Sequence, residues 1–317
     1  MKLIDFNDIQ ELQISVSECF TWAENVISHK NDFLLPPKIS MKPDDGVFCN
    51  VMPSIVELDG VHYGGVKVVT RYPEREPTLD SKILLWNIDS GETLAFMDGN
   101  WITAMRTGAV AAHSIMKLGK ENFSVIGMIG LGNVARATLE MLLEKMPDRH
   151  FTVKLFRHHD TEISFTERFK EYGNVEFSYV DSYYSLVKGS EVVISCVTYA
   201  PEDFCPDEAF DEGVLVVPVH TLGFTNCDLF FDKVFADDVN HVCHFKNFDK
   251  FKSFSEMTDV ENGKAPGREN NRERILAYNI GISIHDIYFA SQIYHLLKDR
   301  KNIPEIELNG PIAKYWL

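Results

Sequence analysis

The 317-residue sequence lacks the features that mark membrane, secreted and nucleic-acid-binding chains. It has no apolar run long enough to cross a bilayer, and its first ten residues carry one lysine and two acids without the apolar stretch of a signal peptide. Lysine and arginine number 31 against 47 aspartates and glutamates, so the formal charge of −16 argues against a nucleic-acid or membrane partner. We therefore expect a cytoplasmic protein that binds neither.

The sequence also lacks a cysteine pattern. Its six cysteines show no CxxC or other paired spacing, which indicates isolated thiols rather than disulfides. His241 and His244 flank Cys243, but no second cluster supplies the remaining ligands that a metal ion needs, and we predict no metal site. Internal repeats and low-complexity segments are missing too. Hydrophobic residues make up 45% and charged residues 25%, as in ordinary globular proteins, and the length is sufficient for two domains.

What the sequence does contain is a strand, a glycine turn and a helix at 124–145. The short apolar run 125–129 predicts a buried parallel strand, and an amphipathic pattern follows GLGNVA. Gly130 permits the tight turn, Gly132 lets a pyrophosphate approach the backbone, and Ala135 keeps the helix close to the strand. The helix N-terminus favours phosphate binding. We predict a dinucleotide site formed by Gly130, Gly132, Asn133, Val134 and Ala135.

The residues after the next strand, 151–156, distinguish the two nicotinamide dinucleotides. Arg157, His158 and His159 follow that strand, and basic side chains there favour the 2′-phosphate of NADP. An acid would instead bind the ribose hydroxyls of NAD, and Asp160 stands only three residues beyond Arg157. The sequence therefore predicts NADP, with NAD as the alternative.

From residue 124 onward the predicted strands and helices alternate, which is typical of the doubly wound parallel sheet of the Rossmann fold. Ligands bind beyond the carboxyl ends of such strands, so Thr198 and His220 are expected in the same crevice as Gly130. Residues 1–112 are mostly hairpin-like, with a hairpin at 81–99, and residues 270–297 are predicted as a helical stretch that Gly281 interrupts. The expected class is α/β, with an NAD(P)-binding Rossmann domain at 113–290 and an α+β domain from 1–112 plus 291–317.

Two cationic residues of the first domain suggest an anion site. Arg106 lies near a predicted helix start in WITAMRTGAVAA, where its guanidinium can bind a carboxylate with help from the Thr107 hydroxyl. Lys67 is the one charge in the apolar strand GGVKVV and needs an anionic partner, either a protein carboxylate or a ligand, unless it snorkels from an edge strand. These residues point to a small carboxylate as the substrate.

The stretch MDGNWITAMRTGAVAA, read together with Lys67 and GLGNVA, closely resembles the ornithine cyclodeaminase and mu-crystallin family. The resemblance runs from PPKIS at 36–40 to ILAYNIGISIHDIYFA at 275–290. It implies ketimine reductase, amino-acid dehydrogenase or opine-like synthase chemistry, with ornithine cyclodeaminase or a non-catalytic binder of NADP and a small carboxylate as alternatives. It further implies a homodimer formed through the domain of the N-terminal part and the C-terminal helix.

The resemblance also implies roles for individual residues. It places the substrate-carboxylate clamp on Lys38, Lys67 and Arg106, with Lys38 standing where an arginine is usual, and it places Thr198 and Asn279 beside the nicotinamide. Lysine is a less exacting carboxylate partner than the planar guanidinium, so we expect looser substrate orientation there.

One departure concerns the reaction. Cyclodeaminases of this family carry an aspartate in the loop after the strand that ends at His220, and an ungapped placement puts Leu222 there. Deamination through an imine needs a proton relay near the amine, so this substitution favours the reductase, dehydrogenase or synthase reading. Lys67 or a water is the expected proton donor, and His220 is a substitute acid. The substrate side chain is not encoded in any motif that we recognise.

Overall fold

The computed structural model describes residues 1–158, 160–197, 205–219, 230–308 and 310. The chain forms two compact units, and each of them is discontinuous in sequence. The first comprises Met1–Gln13, Phe33–Ile102 and Asp286–Leu317, and the second comprises Ile14–Asp32 and Thr103–His285. The predicted domains differ from this division at three stretches. We predicted residues 14–32 and 103–112 in the first domain, but they belong to the second unit. We predicted residues 286–290 in the Rossmann domain, but they belong to the first unit.

The elements, in chain order, are β1 (Lys2–Ile4), α1 (Phe6–Gln10), α2 (Val16–Ser28), β2 (Ile39–Asp44), β3 (Val47–Leu58), β4 (Val61–Arg71), β5 (Leu79–Asn87), β6 (Thr93–Asp98), α3 (Asn100–Leu118), β7 (Val125–Ile129), α4 (Asn133–Lys145), β8 (Phe151–Phe156), α5 (Thr161–Arg168), β9 (Val175–Val180), α6 (Tyr183–Val187), β10 (Val192–Ser195), β11 (Leu215–Pro218), β12 (Lys233–Ala236), α7 (Val239–Val242), β13 (Phe254–Glu256), α8 (Met257–Glu261), β14 (Ile275–Tyr278) and α9 (Ser283–Leu297). Over the described residues, none of these helices has the length and apolar content to span a membrane.

The first unit is built on a six-stranded sheet with the order β1-β6-β5-β4-β3-β2. Its neighbours pair antiparallel except β1 and β6, which pair parallel. Burial alternates along β4: Lys67 and Val69 are buried, whereas Val66 and Val68 on the other face are half-buried. The predicted hairpin at 81–99 is present as β5 and β6. One face of this sheet therefore forms the core of the unit, and Lys67 lies on it.

The second unit is built on an eight-stranded, all-parallel sheet with the order β13-β12-β14-β11-β10-β7-β8-β9. All residues of the central strands β10, β11 and β14 are buried, as expected where helices cover both faces of a parallel sheet. The predicted α/β class with a Rossmann-type sheet and a second α+β unit is confirmed.

The helical stretch predicted at 270–297 is wrong over its first part. Residues 275–278 (ILAY) form β14, which lies between β11 and β12, and the helix begins only at Ser283. Four consecutive apolar residues fit a buried strand as well as a buried helix, so the apolar pattern alone could not separate the two. Gly281, with a φ of +85°, turns the chain from strand to helix.

Candidate active site

The turn between β7 and α4 has the geometry that its glycines predict. Gly130 has a φ of +79°, and a Cβ at this position would lie 2.8 Å from the carbonyl carbon of Cys196. Any other residue would be strained and would also collide with the chain that leaves β10. The turn therefore requires glycine for two independent reasons.

The start of α4 suits a phosphate. Gly132 is the N-cap of the helix in extended backbone, and no side-chain hydrogen bond caps it. A Cβ on Gly132 would meet no atom of the described residues within 4 Å, so a ligand can approach this backbone closely. Ala135 is fully buried, which keeps α4 near the sheet, and Asn133 and Val134 form the first turn with its free N–H groups. These residues fit the pyrophosphate of a dinucleotide.

The basic turn after β8 has an acidic partner that the sequence analysis missed. Arg157 binds both carboxylate oxygens of Asp181, at 2.9 and 3.1 Å, and its guanidinium lies 5.6 Å from the centre of the Tyr179 ring. The backbone N–H of His158 donates to Glu162 at 3.3 Å, and Glu162 is buried at the start of α5. Two carboxylates therefore lie in the region where only cations and Asp160 were expected.

Several assigned residues lie outside the described part of the chain, namely His159, Thr198, His220 and Leu222. Asn279 is described and is buried directly after β14. Its side-chain oxygen accepts a hydrogen bond from the Ser114 hydroxyl at 2.9 Å, and its backbone N–H donates to the carbonyl of Pro218. Asn279 thereby joins the carboxyl end of the sheet to α3, and its predicted contact with the nicotinamide stays a prediction.

Lys67 is a core residue of the first unit, with 1% of its side chain exposed. It lies on β4, a central strand, between Met52 of β3 and Ile83 of β5 in the register of the sheet. Its ammonium is 2.8 Å from a carboxylate oxygen of Asp286. The snorkelling alternative is wrong, because the strand is not an edge strand and the side chain does not reach solvent.

Asp286, which the sequence analysis did not single out, stands in the first turn of α9. The positive end of the helix dipole favours a carboxylate there. Its signal in the sequence was present: it is the only acid in the apolar run from Ile275 to Ile293. A lone acid in such a run, like a lone lysine in an apolar strand, needs a partner of opposite charge.

The signature MDGN has a structural explanation. The side-chain oxygen of Asn100 accepts the backbone N–H of Ser81 at 2.9 Å, and Asp98 accepts the backbone N–H of Asn100 at 2.8 Å. A Cβ on Gly99 would lie 2.9 Å from the Ser81 hydroxyl. These contacts join the start of α3 to β5, and they place the helix start at Asn100 rather than nearer to Arg106.

Arg106 is buried in the second unit, two turns into α3. A Cβ on Gly281 would lie 2.2 Å from one of its terminal nitrogens, so the guanidinium lies directly against this glycine. The backbone N–H of Gly281 donates to Asp237 at 2.6 Å, which fixes the turn. The Thr107 hydroxyl donates to the carbonyl of Thr103 one turn earlier.

The assigned clamp residues belong to both units. Lys38 and Lys67 are part of the first unit, where Lys38 is half-buried in the segment that precedes β2. The second unit contains Arg106, Thr107, the glycine turn, Arg157 and His158. Each unit therefore contributes cations to the predicted set.

A different cluster has the composition of a metal site. Ligand atoms of Glu24, His113 and Glu261 lie within 4.8 Å of one another in the second unit. One oxygen of Glu261 is 2.9 Å from both His113 and the ammonium of Lys117. The hydrogen bond from His113, assisted by Lys117, lowers the pKa of Glu261 to about 2. Within this cluster, Glu261 is thus bound to His113 and Lys117.

Comparison with known proteins covers almost the whole chain. The model of the ornithine cyclodeaminase/mu-crystallin family matches residues 3–301. The N-((2S)-2-amino-2-carboxyethyl)-L-glutamate dehydrogenase of Staphylococcus aureus is 25% identical over 323 aligned residues, covering 93% of this chain and 94% of that protein.

Two solved structures have the same fold. The Δ(1)-pyrroline-2-carboxylate reductase of Thermococcus litoralis, in complex with NADH and L-proline, is 24% identical with a TM-score of 0.85, covering 96% of this chain and 100% of that one. An archaeal alanine dehydrogenase dimer with bound NAD is 21% identical with a TM-score of 0.83, covering 98% and 99%.

Proposed function

This chain belongs to the ornithine cyclodeaminase/mu-crystallin family, as its MDGN signature predicted, and we propose that it is an NAD(P)-dependent oxidoreductase acting on the C–N bond of a small amino or imino acid. The observation that carries the proposal is the glycine turn, in which Gly130 has a left-handed backbone and Gly132 leaves the uncapped start of α4 open to a phosphate. The buried cations Lys67 and Arg106 support a carboxylate substrate.

The reaction class that we propose is that of a ketimine reductase, an amino-acid dehydrogenase or an opine-like synthase. The three relatives described above are named as dehydrogenases or as a reductase, names that denote reactions of these types. Cyclodeamination is the weaker alternative because Leu222 stands at the position of the family's aspartate.

The roles follow from the charges of the side chains. A bound nicotinamide supplies or accepts a hydride at the substrate carbon that carries the nitrogen. We assign carboxylate binding to Arg106, Lys38 and Lys67, since a guanidinium binds a carboxylate bidentately whereas an ammonium adds a single hydrogen bond. The Thr107 hydroxyl can add another only when it releases the Thr103 carbonyl, to which it donates. Lys67, held as an ammonium beside Asp286, can donate a proton or a hydrogen bond to the substrate. His220 is retained as a second acid.

For the cofactor we propose NADP, bound through Arg157, His158 and His159, with Thr198 and Asn279 beside the nicotinamide. NAD is the alternative, which the pairing of Arg157 with Asp181 favours because it engages the guanidinium that would bind the 2′-phosphate. The two solved relatives contain NADH and NAD.

We also propose a cytoplasmic homodimer in which the unit of the six-stranded sheet serves substrate binding and dimerisation. The archaeal alanine dehydrogenase is described as a dimer. Light scattering of the purified protein at several concentrations tests this assignment directly.

The test of the function is the oxidation of NADPH and NADH, followed by absorbance, with cyclic ketimines and with 2-oxo acids plus amines. We expect turnover with at least one substrate. We expect Arg106→Ala to abolish turnover while NADPH binding stays within about twofold of the unsubstituted protein, because the clamp and the phosphate loop use different groups. Arg168→Ala, which removes an exposed arginine paired with Glu140, is the matched control.

Two results would contradict the proposal. Tight NADPH binding without turnover of any substrate in the panel would indicate a binding protein. Release of ammonia from ornithine without net change of the cofactor would indicate a cyclodeaminase.

A further inference from the structure

The pair formed by Lys67 and Asp286 is the most deeply buried ion pair among the described residues. The exposed fractions of the two side chains are 1% and 0%, and the two charged atoms are 2.8 Å apart. An unpaired ammonium in such surroundings would be costly, and so would an unpaired carboxylate. The pairing of the two opposite charges offsets part of this cost.

The packing of α9 on β4 sets the distance between the two groups. Gly65 lies two residues before Lys67 on the same face of β4, and a Cβ there would be 2.4 Å from a methyl group of Ile287. A larger residue there would displace the Ile287 side chain, so Gly65 provides room for α9 against the strand. Since Asp286 precedes Ile287 in α9, this approach brings its carboxylate within reach of the Lys67 ammonium.

Three features of the structure fix the positions of the two charged groups. The first turn of α9 favours a carboxylate at Asp286 through its free N–H groups and the helix dipole. The hydrogen bond to this carboxylate fixes the direction of the Lys67 nitrogen. Met52 and Ile83, which flank Lys67 in the register of the sheet, are apolar and buried and offer no competing charge.

We propose that Asp286 is a positioning residue for the reaction, which orients the Lys67 ammonium and thereby makes it a donor toward the substrate in the reductive direction rather than a nucleophile. The inference rests on the proposed function and assigns a role in it to a residue that does not itself bind the substrate. The substrate atom that faces Lys67 must then offer a lone pair, as a carboxylate oxygen or an imine nitrogen does. This arrangement also excludes a covalent imine between Lys67 and a 2-oxo acid, because an ammonium has no lone pair with which to attack the carbonyl.

The test is a double-mutant cycle with Lys67→Met, Asp286→Asn and the double variant, measured with the best substrate of the panel above. We expect Asp286→Asn to lower kcat/KM by about 30-fold or more, because the Lys67 nitrogen loses the charged hydrogen bond that orients it, while the Kd for NADPH changes less than about twofold. In the Lys67→Met background, the same substitution should change kcat/KM by less than about twofold, because Asp286 acts through Lys67. Asp286→Glu, which retains the charge, should recover part of the rate.

Thermal unfolding supplies a readout that does not need activity. Each single variant should have a lower Tm than the unsubstituted protein, and the double variant should have a higher Tm than either single variant, since it leaves no uncompensated charge in the core. Glu261→Gln is the control for loss of an ion pair elsewhere: it should lower the Tm while kcat/KM stays within about twofold.

The outcomes separate the two proposals. If the unsubstituted protein turns over no substrate, the proposed function fails, and the Tm cycle still measures the pair. If it is active but Asp286→Asn retains kcat/KM within about twofold, or the losses from the two substitutions multiply, Asp286 has no positioning role. Reductive trapping of a 2-oxo acid on Lys67 in the unsubstituted protein, detected by mass spectrometry, would equally overturn the inference.

Discussion

At the scale of single residues, Arg157 is the side chain on which the choice of cofactor depends. Its guanidinium is half-exposed and binds both oxygens of Asp181, whose side chain is 75% exposed. Exposed ion pairs contribute little free energy, typically below about 1 kcal/mol. Asp181 therefore competes with the 2′-phosphate of NADP for the same guanidinium, but only weakly.

Replacing Asp181 should reveal this competition. We expect Asp181→Asn to raise the ratio of kcat/KM for NADPH to that for NADH by about threefold to fivefold, which corresponds to a loss of less than about 1 kcal/mol of competing interaction. Arg157→Asp should shift the ratio in the opposite direction. Glu140→Gln, which removes the carboxylate from the exposed Arg168 pair, is the control and should leave the ratio unchanged. An unchanged ratio in both Asp181→Asn and Arg157→Asp would mean that the 2′-phosphate binds elsewhere.

The residues that could be predicted from sequence are those with a local reason for their identity. Gly130 has its reason in the turn that it makes, and the lone charge of Lys67 in an apolar strand predicted a buried anionic partner. Asp286 and Asp181 were missed because each partner is distant along the chain. Lys67 and Asp286 are 219 positions apart, and a single sequence contains no signal that joins such residues.

At the scale of elements, the turn between β14 and α9 positions a side chain of α3. Gly281 has a φ of +85°, and a Cβ there would overlap the Arg106 guanidinium. We expect Gly281→Ala to displace Arg106 and to raise the KM for the amino or imino acid by about 10-fold or more, with the Kd for NADPH within about twofold.

Gly263→Ala is the matched control for this substitution. Gly263 also has a left-handed backbone, with a φ of +66°, but a Cβ there meets nothing within 4 Å among the described residues. Both variants carry the strain of alanine at positive φ, about 1 kcal/mol or somewhat more. Only Gly281→Ala should change the KM, and an equal change in both variants would show that strain rather than the contact with Arg106 is responsible.

The limits of prediction for whole elements are clearest at β14. The strands β7 and β8 begin and end where the sequence predicts, at 125–129 and 151–156, because polar residues or glycine bound each run. The apolar run at 275–278 continues into α9, and only Asn279 and Gly281 interrupt it before the helix begins. The pattern therefore could not distinguish a strand from the start of a helix. The parallel sheet decides the matter, because β14 fills the position between β11 and β12.

At the scale of the whole molecule, buried carboxylates make stability depend on pH. Hydrogen bonds from His241 and Lys30 outweigh the effect of burial and lower the pKa of Asp238 to about 2, and His113 and Lys117 lower that of Glu261 to about 2. A carboxyl group with a lowered pKa in the folded state stabilises the fold above its unfolded pKa and loses this contribution as the pH falls.

We expect the free energy of unfolding to fall between about pH 5 and pH 2, with roughly 2 kcal/mol from Asp238 and roughly 3 kcal/mol from Glu261. Urea unfolding at a series of pH values measures this. Glu261→Gln should be less stable at neutral pH and should show a smaller loss on acidification. Glu171→Gln, which removes an exposed carboxylate, should behave like the unsubstituted protein, and an unaltered acid slope in Glu261→Gln would contradict the assignment.

The separation of Lys67 and Asp286 along the chain also bears on the order in which the protein is synthesised. The strand that carries Lys67 leaves the ribosome long before α9, and 219 positions separate the lysine from its carboxylate. Lys67 cannot be buried beside its carboxylate in the core of the first unit until Asp286 has been synthesised. The whole of the second unit apart from residues 14–32 is translated in this interval. The sheet of the second unit can thus be assembled while the sheet that carries Lys67 still lacks α9.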